Sequence, residues 1–235
     1  YKMIWAVIAA RSGSKGLKNK NILKLNNYEL LVHSIKFAKK LKFLDKVFIS
    51  TDSIKYKNLS LQHGGYVPFL RSKKASSSRA MEEDVLDDIR KKCEYHKIKK
   101  PDHILWLRPT TPIRSINCHL KAYSNFITKK RSTLIVGETD PRIFLVGSKK
   151  KPIPVIKIFK EKSMVRRQDC SKGFKIFYGE YFKFPKNYNK NFLGKKFDYF
   201  FQPIECNFDI DNKHDLDLLN NLLKTNKGIK KYLHV

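Results

Sequence analysis

Apolar positions in this chain follow two rhythms. Residues 3–9 are a continuous apolar run, the pattern of a central parallel strand covered on both faces. Residues 29–41 then carry Leu30, Leu31, Ile35 and Ala38 at helical spacing. Residues 46–50 repeat the strand pattern, and Thr51-Asp52-Ser53 supplies a polar turn and cap for a helix over 54–62. A short strand is expected at 67–70, a helix at 81–93 with Val85, Leu86 and Ile89 on one face, and a strand at 103–107. A helix over 116–126 and a strand over 133–137 complete the alternation.

Beyond residue 138 the rhythm changes. Residues 155–159, 174–184 and 197–203 read as shorter strands joined by Lys-rich turns, residues 207–210 as an extended segment, and residues 214–224 as a last amphipathic helix. Strand–helix alternation predicts an α/β chain with a Rossmann-like, doubly wound, mostly parallel sheet, whose ligands bind at the carboxyl ends of the strands. Residues 1–138 and 186–235 form this domain in that reading, and 139–185 form a small insertion that leaves the main sheet.

Composition narrows the class. At 41% hydrophobic residues the 235-residue chain can bury a core, and its 30% charged residues are dispersed through periodic segments rather than gathered in a tail. The net charge of +29 invites a nucleic-acid reading. The excess is mostly Lys in pairs and triplets, with no helix-turn-helix, zinc-finger or aromatic-basic signature, so a solvated basic surface that attracts small anions is the simpler account. Cys93, Cys118, Cys170 and Cys206 are widely spaced and contain no C-x-x-C pair, which favours reduced thiols in a cytoplasm. The apolar run near residue 3 is too short to span a membrane.

Three segments carry candidate chemistry. The first is Ala10-Arg11-Ser12-Gly13-Ser14-Lys15-Gly16, after the first strand. Its glycines permit close backbone approach and positive φ, while Arg11, Lys15, Lys18 and Lys20 can neutralise phosphate. It is neither a Walker A loop nor G-x-G-x-x-G. The second is Asp209-Ile210-Asp211, where strand alternation would aim both carboxylates to one side to share a divalent cation; a helix N-cap is the plainer use of Asp211 or Asn212. The third is Leu107-Arg108-Pro109-Thr110-Thr111-Pro112-Ile113-Arg114, a proline-stiffened loop offering donors to a carboxylate or phosphate.

Together these segments resemble the acylneuraminate cytidylyltransferases, which make CMP-activated nonulosonic acids. The opening A-A-R-x-x-S-K-G pattern is met by Ala9 to Gly16, and the following K-N by Lys20-Asn21. The S-T-D after the second strand is Ser50-Thr51-Asp52, the R-P-T/S-S-P-L-R-type loop is Arg108 to Arg114, and the late D-I-D is Asp209-Ile210-Asp211. Order and spacing hold from residue 4 to about 223.

That resemblance implies a nucleotide-diphospho-sugar transferase fold, CTP and a sugar acid as substrates, Mg²⁺ as cofactor and a homodimer built on the insertion. It places Arg11, Lys15 and Lys20 on the triphosphate and Asp209 with Asp211 on the metal. Ala9, Ala10, Ser14, Asn21, Arg71 and Ser77 fall in the nucleotide pocket. Arg167, with Gln168 beside it, is the candidate for the acid's carboxylate; Arg108 and Thr110 are candidates for substrate binding, though Arg108 and Arg114 could each serve to hold their loop instead. The family's N-G-x-x-Y segment is altered here: Gly179 keeps the glycine, Tyr178 stands for the Asn and Phe182 for the Tyr. This departure bears on which sugar acid is accepted. The alternatives are a 3-deoxy-manno-octulosonate cytidylyltransferase, a sugar-1-phosphate nucleotidyltransferase or D-x-D glycosyltransferase, and a non-catalytic basic nucleic-acid-binding module. The K-N pair and the Arg108–Arg114 loop count against the second pair.

Overall fold

The computed structural model describes residues 2–14, 16–139, 145–148, 151–154 and 173–235. In chain order its elements are β1 (Ile4–Ala9), β2 (Lys24–Leu25), β3 (Tyr28–Glu29), α1 (Leu30–Lys40), β4 (Lys46–Ser50), α2 (Ile54–Gln62), α3 (Glu82–Tyr95), β5 (His103–Leu107) and α4 (Ile116–Lys129). There follow β6 (Ser132–Thr139), β7 (Leu145–Ser148), β8 (Lys151–Pro154), β9 (Gly173–Lys183), β10 (Phe197–Phe201), α5 (Lys213–Thr225) and α6 (Lys227–Lys230).

A six-stranded sheet runs in the order β10-β6-β9-β5-β1-β4. β1 is parallel to β4 and β5, and β10 is parallel to β6, while β9 is antiparallel to both β5 and β6. Five strands therefore share one direction and β9 opposes them. The continuous apolar run in β1 has its expected cause. Ala6 and Ile8 pack with Leu105, Leu107, Leu31, Ile35 and Phe126 on one face of the sheet, and Trp5 and Val7 pack with Ile104, Trp106, Leu86 and Ile89 on the other. Each Ile or Leu buried this way contributes about 1.5–3 kcal/mol. A third cluster joins Leu216, Leu219 and Leu223 of α5 to Leu25, Leu30 and Ile113, fastening the last long helix beside the first.

The sequence reading needs two corrections. Residues 67–70 do not form a strand. Tyr66 makes a single parallel bridge to Phe48, through Tyr66 N–H to Val47 O at 2.7 Å and Ile49 N–H to Tyr66 O at 3.0 Å. The next ladder donor would be residue 68, a proline without an N–H, so pairing stops there.

The second correction concerns the expected insertion over 139–185. β7 and β8 form a separate two-stranded sheet, but β9 returns to the middle of the main one. There Tyr181 packs on one face and Phe182 on the other, a two-sided burial that Lys-rich flanks conceal in the sequence. Gly179 is required in β9 because a Cβ there would lie 2.8 Å from His119 Cε1. The expected strand at 155–159 lies outside the described residues.

Candidate active site

The carboxyl end of β1 opens into the loop 10–16, and contacts from distant segments hold that loop. Ala10 N–H continues the β1 ladder to Ser50 O at 2.9 Å. Asp52 then grips Ser12 twice, accepting from its backbone N–H at 2.8 Å and from its hydroxyl at 3.0 Å. Ser53, not Asp52, caps α2, its hydroxyl accepting from Tyr56 N–H. Gly13 and Gly16 avoid positive φ: Gly13 faces open space, and a Cβ on Gly16 would sit 3.6 Å from Asp211 O. The left-handed residue of this segment is Asn19, at φ 54°, which turns the chain into a short 3₁₀ helix at Lys20–Ile22.

A cleft of about 450 Å³ lies at this end of the sheet, and Ala9, Arg11, Ser14, Lys20, Asn21, Arg71, Arg108 and Thr110 all line it. Eight residues singled out from sequence thus converge from positions 9 to 110. Asn21 donates to Arg11 O at 3.0 Å, and Arg11 Nη1 donates to Ser77 O at 2.8 Å, so Ser77 enters the site through its carbonyl. Ala10 is fully buried and supports the wall from behind. Arg71 is fixed by Ser50, whose hydroxyl and carbonyl accept from its Nε at 2.9 Å and Nη2 at 2.6 Å. Burial lowers the Arg71 pKa to about 10, with Asp52 and Asp88 opposing the shift, so it stays cationic at neutral pH. Lys15, Arg167 and Gln168 lie outside the described residues.

The late acidic segment reaches the same region. Ile210 N–H donates to Thr110 O at 2.8 Å, tying it to the proline-rich loop. Asp211 pairs with Lys20 at 3.2 Å and Asp209 with Lys175 at 2.8 Å. Each carboxylate thus already attracts a cation. No group of three or more His, Cys, Asp or Glu residues that could hold a metal occurs among the described residues. Two carboxylates of this kind suit a hard divalent ion such as Mg²⁺, which typically takes one or two carboxylates and completes its shell with water and substrate phosphates.

Arg108 and Arg114 divide their duties. Arg114 is wholly buried, and its Nη2 donates to Arg108 O at 2.6 Å, Ser34 Oγ at 3.1 Å and Thr111 Oγ1 at 3.3 Å; it holds the loop. Arg108 faces the cleft but is paired to Glu180 at 2.6 Å and to Glu82 at 3.0 Å. Burial pulls its pKa down, yet Glu180 and Glu82 together lift it above the usual arginine value. Burial pushes the Glu180 carboxyl up, against the pull of Arg108.

Sequence reasoning missed Glu180, Glu82 and the grip of Asp52, as well as the apolar lining from Ala80, Met81, Val85 and Trp106. Glu82 was hidden as one of three acids that suit a helix N-terminus, and Glu180 within a strand expected to lie elsewhere.

Comparison with known proteins extends this picture. Residues 5–94 match the family model described as cytidylyltransferase. The chain is 30% identical over 229 residues to post-translational flagellin modification protein B of Campylobacter coli, covering 94% of this chain and 95% of that one. It is 27% identical over 232 residues to the pseudaminic acid cytidylyltransferase of Campylobacter jejuni, covering 94% and 96%. Among solved structures, CMP:2-keto-3-deoxy-manno-octonic acid synthetase complexed with CTP superposes with a TM-score of 0.65 at 13% identity, covering 94% of this chain and 98% of that one. The last likeness speaks to fold alone. The near full-length relationship to the Campylobacter proteins, with the family-model match over residues 5–94, places this chain in the nonulosonic acid cytidylyltransferase family.

Proposed function

We propose that the chain couples CTP to a nonulosonic, sialic-acid-like 2-keto sugar acid, giving the CMP-sugar and pyrophosphate. One observation carries the reading: Arg11, Lys20, Asn21 and Arg71 converge on a single cleft at the strands' carboxyl ends, with Asp211 held against Lys20. In the reaction the anomeric hydroxyl oxygen attacks the α-phosphorus of CTP. The bond from that phosphorus to the bridging oxygen of pyrophosphate breaks, and the hydroxyl proton passes to solvent.

Positioning and charge neutralisation supply most of the rate in such a transfer. Arg11 and Lys20, with Lys15, are assigned to the triphosphate and to the charge that builds on departing pyrophosphate. Asn21 braces Arg11 through its carbonyl, and Arg71 is assigned to the nucleotide. Asp209 and Asp211 would hold Mg²⁺, which when bound neutralises phosphate charge and acidifies a coordinated hydroxyl.

The same reading includes a homodimer through the segment around β7 and β8, supported by their separation from the main sheet. It also includes a cytoplasmic setting, supported by the buried free thiols Cys93, Cys118 and Cys206. Burial raises these thiols to about 11, 11 and 12, which keeps them protonated and inert. No helix among the described residues is long and apolar enough to cross a membrane.

The test is pyrophosphate release with CTP, Mg²⁺ and a panel of nonulosonic acids plus 3-deoxy-manno-octulosonate, with products identified by mass. Turnover with a nonulosonic acid is expected. Turnover with the octulosonate alone would transfer the chain to that class, and none with any acid would overturn the enzyme reading.

A further inference from the structure

We infer that Glu82 is a specificity-determining residue, accepting a hydrogen bond from a donor on the sugar acid, an amide N–H or a hydroxyl, rather than leaving Arg108 to clamp a carboxylate. The inference rests on the cytidylyltransferase reading and concerns the acid's half of the cleft. An arginine at the end of a central strand in such a cleft would ordinarily be assigned to the substrate's carboxylate. Here that role is occupied. Glu180 is buried and holds Arg108 Nη1 at 2.6 Å, while Glu82 holds Nη2 at 3.0 Å.

The charge count decides the matter. One guanidinium facing two carboxylates gives a net negative group, or a neutral one with Glu180 protonated, so this wall of the cleft offers nothing to an incoming anion. A substrate carboxylate there would have to displace Glu82 and leave that acid unpaired beside it. The other cations of the same cleft, Arg11, Lys20 and Arg71, are the ones assigned to CTP. The two carboxylates also differ from each other. Glu180 lies inside the sheet and cannot reach a ligand, whereas the Glu82 side chain is 33% exposed and lines the cleft.

Glu82 pairs with Arg108 through Oε1, and its Oε2 has no partner among the described residues. A carboxylate only accepts, so its natural complement is an N–H or O–H on the acid's side chain. Arg108 holds that acceptor in place, and Met81, Val85 and Trp106 provide apolar surface around it. The sugar acid is thus oriented with a donor-bearing substituent towards Glu82. An acid without the donor leaves Glu82 Oε2 desolvated and without a donor, a mismatch that discriminates strongly.

The experiment compares an accepted acid with its analogue in which one side-chain N–H or O–H is replaced by hydrogen or O-methyl, scanning each donor position. Both are assayed with the parent enzyme, Glu82→Ala and Glu82→Gln. At one position the parent should prefer the donor-bearing acid in kcat/KM by about tenfold to a hundredfold. In Glu82→Ala that ratio should collapse towards one, with KM for CTP unchanged. Gln keeps an acceptor oxygen and should retain part of the preference. An unchanged ratio at every position in Glu82→Ala, with acids still turned over, overturns the role of Glu82 and leaves the family reading standing. Failure of the parent to turn over any acid removes both.

Discussion

Lys20 and Asp211 stand 191 positions apart in sequence and meet as an ion pair at 3.2 Å. The pair joins the loop after β1 to the segment before α5, the two halves of the proposed site. Asp211→Asn keeps the shape and removes the charge, and turnover is expected to fall about a hundredfold, or ~3 kcal/mol in transition-state stabilisation. The fold should be indifferent, because the Asp211 side chain is 69% exposed and such a surface pair adds little stability. Steady-state pyrophosphate release alongside a thermal melt checks both halves. A variant turning over at the parental rate would remove Asp211 from the chemistry.

Asp52 orders the loop after β1 without lining the cleft. Asp52→Ala leaves Ser12 N–H and Oγ without their acceptors, at 2.8 and 3.0 Å in the parent. Freeing the loop should weaken CTP binding by roughly tenfold, the worth of about 1–2 kcal/mol in charge-assisted hydrogen bonds. Calorimetric titration with CTP measures it directly. Undiminished affinity would mean that Asn21 and its bond to Arg11 O suffice to shape the loop.

Much of this arrangement was legible from residue order, and the parts that were not share a cause. β1, α1, β4, α3, β5 and α4 follow their periodicities because each buries one stripe or two faces, and that pattern is written in the element's own residues. β9 escaped because a strand's place in a sheet depends on non-local pairing, and its Lys-rich flanks resemble a surface insertion. Residues 67–70 looked like a strand by residue type, but one missing N–H at Pro68 ended the ladder. Cleft-lining residues named by motif, such as Arg11, Asn21 and Arg71, were accessible to sequence. Glu82 and Glu180 were not, since each has meaning only through Arg108, 26 and 72 positions away.

Arg114 is the last residue of the proline-stiffened loop and is wholly buried, with Phe37 under its guanidinium at 5.2 Å. Arg114→Ala would lose three hydrogen bonds and open a cavity, at an expected cost of roughly 3 kcal/mol or more. Arg114→Met fills much of that volume and removes a charge whose pKa burial has already lowered to about 9, so it should be the milder change. Urea unfolding of both variants orders them. Equal stability of Arg114→Ala and the parent would show that the loop keeps its shape without this brace.

Acid should destabilise the fold through its buried imidazoles. His33 is 1% exposed; its Nε2–H must donate to Leu25 O at 2.8 Å, since a carbonyl only accepts. Burial lowers its pKa from 6.5 to about 4, opposed by the bond to Leu25 O. The folded-state value lies below the unfolded one, so the unfolded chain binds more protons between them. Stability is therefore complete above pH 6.5 and declines as pH falls, the loss levelling off near pH 4. His33 alone accounts for up to about 3 kcal/mol of that decline. His119 and His234, also lowered by burial, act in the same direction. Urea midpoints measured from pH 7 to pH 4 should fall in the parent, and the fall should be shallower in His33→Gln, which keeps a donor for Leu25 O but cannot titrate. Equal slopes in the two proteins would mean that His33 takes up its proton in the folded state without penalty.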